Sequence, residues 1–165
     1  GPLTKLGVNP WVAHFFVFLI SVWGELSPPT SLTAAISARI AEASFMRTMW
    51  VALKICLPIT LMTFAIFTRT DIVVNPGWAQ IGATLLVTIG TCATAFAMFG
   101  RFVENPVGDI LLRAALGLFA FVTMFHPDGN VATVSAVVAL LATIYGIIRH
   151  RQIAPPKSGL QSQPV

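Results

Sequence analysis

Long apolar stretches, separated by short polar segments, are the dominant pattern along the chain. A helix that crosses a membrane needs about 20 predominantly apolar residues. Two of the stretches, 78–99 and 131–148, carry no charge, and a third, 107–125, carries only Asp109 and Arg113 near its start. The fourth, 55–68, is short, but the side chain of Lys54 can extend to the interface and so lengthen the apolar segment. The spanning helices predicted in this way cover residues 55–68, 78–99, 107–125 and 131–148.

The first apolar stretch is interrupted by two consecutive prolines, in "WGELSPPTSLTAA" at residues 23–35. Proline removes a backbone donor and disfavours the helical conformation of the residue before it. A helix that starts at Pro10 should therefore end near residues 24–27 and restart at about residue 30. Together the two pieces predict one discontinuous crossing over residues 10–43.

Residues 44–56 predict a helix of another kind, an amphipathic arm that lies along the membrane interface. Phe45, Met49 and Cys56 recur with the helical period, whereas Arg47 and Lys54 lie elsewhere on the helical wheel. This arm leads into the spanning helix at 55–68.

These elements divide the chain into three parts. Residues 1–68 hold the broken helix, the arm and the first uninterrupted spanning helix, and residues 69–150 hold three further helices. Residues 151–165 are rich in proline, serine and glutamine, which predicts a disordered tail.

Composition supports a membrane protein. Hydrophobic residues make up 56% of the 165 residues and charged residues only 10%, whereas soluble domains are about 25% charged. The sequence therefore predicts an all-α integral membrane protein with a discontinuous helix, an interfacial amphipathic arm and about four further transmembrane helices. It contains no basic stripe with interleaved aromatics for nucleic acid, and no catalytic or phosphate-binding motif, so an enzyme is not expected.

The distribution of lysine and arginine predicts the orientation, because short cytoplasmic loops carry an excess of both. The C-terminal tail contains Arg149, Arg151 and Lys157, which places it in the cytoplasm. The loop with Arg101 and the arm then also lie inside. The loop that begins at Arg69 lies outside and is the exception to the rule.

A helix broken inside a membrane can bind ions. The break frees carbonyl groups at the end of the first piece, which suit a cation, and amides at the start of the second, which suit an anion. Secondary transporters build their sites in this way. The alternative is a proline-kinked helix that binds nothing. The candidate binding residues are Gly24, Glu25, Ser27, Pro28, Pro29, Thr30 and Ser31.

An ordered series of motifs indicates a family. The series consists of Gly7-Val8, Ala13 to Phe18, Glu25, Ser27-Pro28-Pro29, an Ala-rich helix at 33–43 and Met46-Arg47-Thr48. Over residues 6–59 the sequence resembles the large membrane subunit of TRAP (tripartite ATP-independent periplasmic) transporters, and most closely the fused permeases of the TAXI type. The later helices resemble that family's C-terminal extension in hydropathy and length only.

The resemblance implies a function and its partners. It implies sodium-coupled uptake of organic anions (carboxylates) by an elevator-type mechanism in the bacterial inner membrane. A periplasmic substrate-binding protein would deliver the anion, the remainder of the permease would complete the site, and the coupling sodium ion would be the only cofactor. Because the family's other site-forming hairpins are absent, the chain is expected to be a C-terminal portion of such a permease or a separately encoded part of it.

Carried over residue by residue, the resemblance assigns Glu25 and residues 27–31 to the sodium and substrate site, and His14 to the cavity. Three departures leave the substrate preference open. Ser27 stands where threonine is usual, Glu25 where a shorter acid is common, and residues 30–33 replace a more apolar run.

Several alternatives remain open from the sequence. The chain can instead be a noncatalytic membrane scaffold or assembly subunit whose Pro-Pro segment is a structural kink. His14 can be a hydrogen-bonded packing residue between helices. Asp109 and Arg113, four residues apart with the acid first, favour an ion pair at a helix start over a proton relay.

Overall fold

The computed structural model describes residues 1–24 and 31–153. Within them the chain forms helices and no strands. In chain order the helices are α1 (Pro2–Lys5), α2 (Pro10–Gly24), α3 (Leu32–Ile40), α4 (Phe45–Ala65), α5 (Asp71–Val74), α6 (Trp78–Phe99), α7 (Pro106–Phe125) and α8 (Gly129–Ile153).

Four of these helices are long and apolar enough to cross a membrane. They are Phe45–Ala65, Trp78–Phe99, Pro106–Phe125 and Gly129–Gln152, with lengths between 20 and 24 residues. Their positions correspond to the four spanning helices expected from the sequence, and the all-α class is confirmed.

The predicted arm and the spanning segment after it form a single helix, which differs from the expected division at residues 55–56. α4 runs without interruption from Phe45 to Ala65 and contains Pro58. A proline removes one backbone hydrogen bond but does not end a helix whose flanks are held by packing. In α4 both Cys56 and Pro58 are buried, so packing fixes the backbone on either side of the proline.

The discontinuity of the first crossing is also present, with different limits. α2 ends at Gly24, and Ser31 has an extended backbone with φ −67° and ψ 93°, so α3 begins at Leu32 rather than near residue 30. α3 ends at Ile40, short of the expected residue 43. Two residues later Glu42 has φ 50°, a left-handed conformation in which a helix cannot continue.

Two further boundaries differ from the expectation. The short helix α5 lies within the predicted loop at 69–77, and α8 continues to Ile153, into the predicted tail. The remainder of the tail, residues 154–165, lies outside the described residues.

The core is a bundle of α6, α7 and α8, and each of these helices packs against the other two. One apolar cluster joins them through Ala93, Leu116 and Ala139, with Phe102 from the loop between α6 and α7. A second cluster joins α4 to this bundle through Ala65, Val87 and Met124. The small residues in both clusters allow helix backbones to approach closely, which is how membrane helices associate.

The two pieces of the broken crossing lie at the edge of this bundle. α2 packs against α4 and α5, and α3 packs against α4. The ring of Phe16 on α2 lies between Phe64 and Phe67, at centroid distances of 5.6 and 4.6 Å. Because α2 and α3 pack on one side of the bundle only, large apolar side chains such as Phe18 and Ile40 stay exposed.

α6 and α7 approach each other closely at Gly90, which yields a stability prediction. A Cβ atom at Gly90 would overlap the Cγ of Met124 and lie 3.2 Å from the Ala120 carbonyl oxygen. We expect Gly90→Ala to destabilise the fold by about 1–3 kcal/mol, because overpacking forces the two helices apart. Thermal unfolding in detergent, followed by tryptophan fluorescence, measures the change.

Gly82→Ala is the matched control on the same helix. A Cβ atom at Gly82 meets nothing within 4 Å, so this change should be neutral or stabilise by up to about 1 kcal/mol through helix propensity. Equal effects of the two substitutions would contradict close packing at Gly90.

Candidate functional site

The interruption between α2 and α3 is the candidate site, and the structure describes its two edges. Gly24 is the last residue of α2, and Ser31 precedes α3. The other candidate binding residues, Glu25, Ser27, Pro28, Pro29 and Thr30, lie outside the described residues. The chain therefore leaves one helix at Gly24 and enters the next after Ser31.

Ser31 acts as the N-cap of α3. Its hydroxyl oxygen accepts a hydrogen bond from the Ala34 amide at 3.0 Å, and the residue is only 2% exposed. An N-cap hydroxyl satisfies one of the amides that a helix start leaves without a partner and stabilises a helix by about 1 kcal/mol. Ser31 thus fixes the point at which α3 begins.

His14 lies on α2 and lines a cavity of about 350 Å³, together with Ala13, Val17 and residues of α1. Its Nδ1 lies 2.7 Å from the Pro10 carbonyl oxygen. A carbonyl only accepts, so Nδ1 donates this bond, which stays within α2. The His14 side chain is exposed, so the structure places it at a cavity formed with α1 and shows no hydrogen bond from it to another described helix.

His14 and Gly24, the described edge of the interruption, are ten positions apart on α2, which corresponds to about 15 Å at 1.5 Å per residue.

The Asp109–Arg113 ion pair predicted from the sequence is present, with Nη1 of Arg113 3.6 Å from Oδ2 of Asp109. Asp109 also connects the start of α7 to the loop between α6 and α7. The Asp109 carboxylate accepts hydrogen bonds from the amides of Phe102 (2.6 Å) and Val103 (3.4 Å).

Arg113 ties the end of α6 to α7. Its Nε donates to the Ala97 carbonyl at 2.6 Å, and its Nη2 donates to the Met98 carbonyl. The Asp109 carboxylate thus pairs with backbone amides, and the Arg113 guanidinium with backbone carbonyls, at the turn between α6 and α7. These contacts support the structural interpretation over the proton relay.

Arg69 was not recognised as a structural residue from the sequence. It is 8% exposed, and its Nη2 donates to the carbonyls of Thr123 (3.1 Å) and His126 (2.8 Å) at the end of α7. The pKa of its guanidinium lies below its usual range because burial disfavours the charged form, and the nearby Asp71 carboxylate offsets part of this effect. No local signal identifies this role, because the carbonyl groups lie more than fifty positions further along the chain.

The burial of Arg69 explains why an arginine occurs in a loop that the sequence places outside, against the rule that lysine and arginine concentrate in cytoplasmic loops. The rule concerns lysine and arginine in loops that would have to be moved across the membrane as exposed charges. Arg69 is instead buried against the C-terminal carbonyls of a helix, where a positive charge is favourable.

The described part of the chain holds no group of three or more His, Cys, Asp or Glu side chains that could bind a metal ion. At the turn between α7 and α8, His126 Nδ1 accepts a hydrogen bond from the Asp128 amide (3.2 Å), and Asp128 accepts one from the Asn130 amide (2.9 Å). These side chains shape the start of α8.

Comparison with protein families gives one match that covers both edges of the break. Residues 2–72 match the model of the family described as "Tripartite ATP-independent periplasmic transporter, DctM component". Residues 2–72 are therefore similar to the large permease subunit of TRAP transporters. Comparison with curated proteins and with solved structures gives no match.

The matched residues contain α1 to α4, and with them both pieces of the broken crossing. The resemblance to TRAP large permeases is therefore confirmed, whereas the assignment to the TAXI type stays a prediction. With four helices long and apolar enough to cross a membrane, the chain is a multi-pass membrane protein, and its residues 2–72 resemble a transporter component.

Proposed function

We propose that the interruption between Gly24 and Ser31 forms part of a sodium and organic-anion site in a secondary transporter. The observation that carries the proposal is the family match, which spans this interruption. The proposed substrate class is carboxylates, delivered by a periplasmic binding protein. The proposed mechanism is elevator-type alternating access, completed by the remainder of the permease.

The ends of the two described helices support an ion site. α2 ends at Gly24 and α3 starts after Ser31, so the C-terminus of one helix and the N-terminus of the next flank the interruption. A helix C-terminus favours a cation and a helix N-terminus favours an anion, and secondary transporters place ions and substrates at such ends.

Two exposed tryptophans support the placement of two helix starts at a membrane interface, and the proposed orientation puts the C-terminus in the cytoplasm. Tryptophan concentrates at membrane–water interfaces. Trp11 begins α2 and Trp78 begins α6, and they are 74% and 89% exposed. The proposed topology places both at the outer interface, while Arg149 and Arg151 at the end of α8 lie at the inner one.

A scaffold role is the second candidate, and it concerns the other half of the chain. Helices α6, α7 and α8 lie outside the matched residues and form the most extensive contacts of the fold. Their polar side chains mainly satisfy the backbone, as Thr94 does by donating to the Gly90 carbonyl at 2.8 Å. We propose that this bundle supports the broken helix without contacting the substrate.

Substitution of Ser27 tests the proposed ion site. We expect Ser27→Ala to raise the sodium concentration required for half-maximal uptake about tenfold, which corresponds to a loss of about 1.4 kcal/mol in ion binding. Glu25→Gln should likewise weaken sodium coupling. Sodium-dependent uptake is measured in proteoliposomes that contain the chain with the rest of its permease and the binding protein.

Ser21→Ala is the matched control, because it removes a hydroxyl from α2 that already donates to the Val17 carbonyl at 2.8 Å. Its sodium dependence should equal that of the wild type. If Ser27→Ala and Glu25→Gln both keep normal uptake and sodium affinity, the interruption is a structural kink and the scaffold interpretation applies to the whole chain.

A further inference from the structure

A groove of about 420 Å³ runs between α6 and α8 on the outside of the bundle. Cys92, Phe96 and Phe99 line it on α6, and Thr143, Ile147 and His150 line it on α8. Its wall is apolar apart from Thr143 and His150, and Phe99 and Ile147 are 54% and 41% exposed. The groove therefore has the chemistry of an acyl-chain site rather than of a site for a polar solute.

One end of the groove is strongly basic. α6 and α8 both end there, since α7 returns the chain between them. The groove's last lining residues are Gly100 and His150, and an arginine follows each directly, Arg101 and Arg151.

Both of these arginines are exposed, and within the described residues neither forms an ion pair. The neighbouring Arg149 is engaged differently. Its Nε donates to the Tyr145 hydroxyl at 3.2 Å, and it lies beside Glu104 in a separate groove. Within the described residues, Arg101 and Arg151 thus place two positive charges without an ion-pair partner next in sequence to the last residues that line the groove.

We propose that this groove binds an anionic phospholipid. One acyl chain lies along Phe96, Phe99 and Ile147, and the phosphate lies between Arg101 and Arg151. Basic pockets between membrane helices on the cytoplasmic side recognise anionic headgroups. The inference is independent of transport, because every residue in it lies outside the segment matched to the TRAP family.

His150 defines the depth of the headgroup. Its ring is held edge-on against Phe96, with the centroids 6.3 Å apart, so it marks the point where the apolar wall ends. A phosphate placed beyond this ring would lie towards Arg101 and Arg151, whereas an acyl chain placed before it would meet a wall that is apolar apart from Thr143.

Native mass spectrometry of the full chain in detergent tests the proposal. The chain is titrated with phosphatidylglycerol and with phosphatidylcholine of identical acyl chains. An arginine near an anionic phosphate contributes roughly fivefold in affinity, so two contribute roughly twentyfold. We expect phosphatidylglycerol to bind at least tenfold more tightly than phosphatidylcholine, and Arg101→Gln/Arg151→Gln to abolish that difference.

The matched control is Arg39→Gln/Arg47→Gln. It removes two exposed arginines that do not line the groove. The proposed orientation places them on the same side of the membrane as Arg101 and Arg151. It should keep the preference for phosphatidylglycerol. An equal loss in both double variants would show attraction to net charge alone and overturn the proposal.

Ala95→Phe tests the chain-binding half of the groove. Ala95 lines the groove, and a phenyl ring there should reduce binding of both lipids severalfold while circular dichroism stays unchanged. Equal affinity of the wild type for the two lipids would overturn the proposal. So would displacement of phosphatidylglycerol by inorganic phosphate at the same concentration, because the apolar groove would then contribute nothing.

Discussion

Arg113→Leu is expected to destabilise the folded chain by about 3 kcal/mol. The substitution removes the donors to the Ala97 and Met98 carbonyls at the end of α6 and leaves the Asp109 carboxylate buried without its counter-charge. Breaking a buried pair from one side costs more than the pair contributes, because the remaining charge is uncompensated. Thermal or denaturant unfolding in detergent measures the loss.

A double-mutant cycle with Asp109→Asn separates the ion pair from the backbone contacts. If the pair is coupled as the 3.6 Å distance indicates, the double variant should lose at least about 1 kcal/mol less than the sum of the single variants. Arg47→Leu, at an exposed arginine of α4, should change stability by no more than about 0.5 kcal/mol. Strict additivity of the two single changes would contradict a coupled pair.

Arg69→Leu is expected to destabilise the chain by about 2–4 kcal/mol, since it removes two charge-assisted hydrogen bonds to the end of α7. The bonds to the Thr123 and His126 carbonyls connect the segment after α4 to the turn before α8. Their loss should also loosen that turn, so amide hydrogen exchange at residues 124–130 should become faster along with the fall in melting temperature.

Two neighbouring substitutions show which property of Arg69 matters. Lysine at this position keeps the charge but not the planar group, so Arg69→Lys should recover only part of the stability. Asp71→Asn should have little effect, because Asp71 is bonded to the Asn75 side chain (2.6 Å) rather than to Arg69. Full stability of Arg69→Leu would mean that water satisfies the two carbonyl groups.

The two arginines perform the same task at opposite ends of the bundle. Each reaches the C-terminal carbonyls of a helix other than its own, Arg69 those of α7 and Arg113 those of α6. Helix ends near a membrane need such partners, because the surrounding lipid supplies no donors. The core that supports the broken helix is therefore closed at two turns by charged side chains.

The sequence predicted the Asp109–Arg113 ion pair more completely than it predicted the candidate transport site. The ion pair could be predicted because its two residues are one helical turn apart, a spacing at which side chains on a helix meet. Ser31 was recognised as part of the interruption, but its capping bond depends on where α3 starts, and that is set by the local backbone. The sequence predicted the position of His14 on a helix, whereas its distance from Gly24 follows from α2, which contains both residues.

Sequence alone determined the membrane class, the four spanning helices, the separation of α2 from α3 and the likeness of residues 2–72 to TRAP large permeases. These properties follow from apolar length, proline chemistry and an ordered motif series, all of which are local along the chain. Tertiary structure decided that α4 is one helix through Pro58, that Arg69 closes α7, and that α6 and α8 leave a groove between them. Each of these depends on contacts between segments far apart in sequence, whose energies no local pattern records.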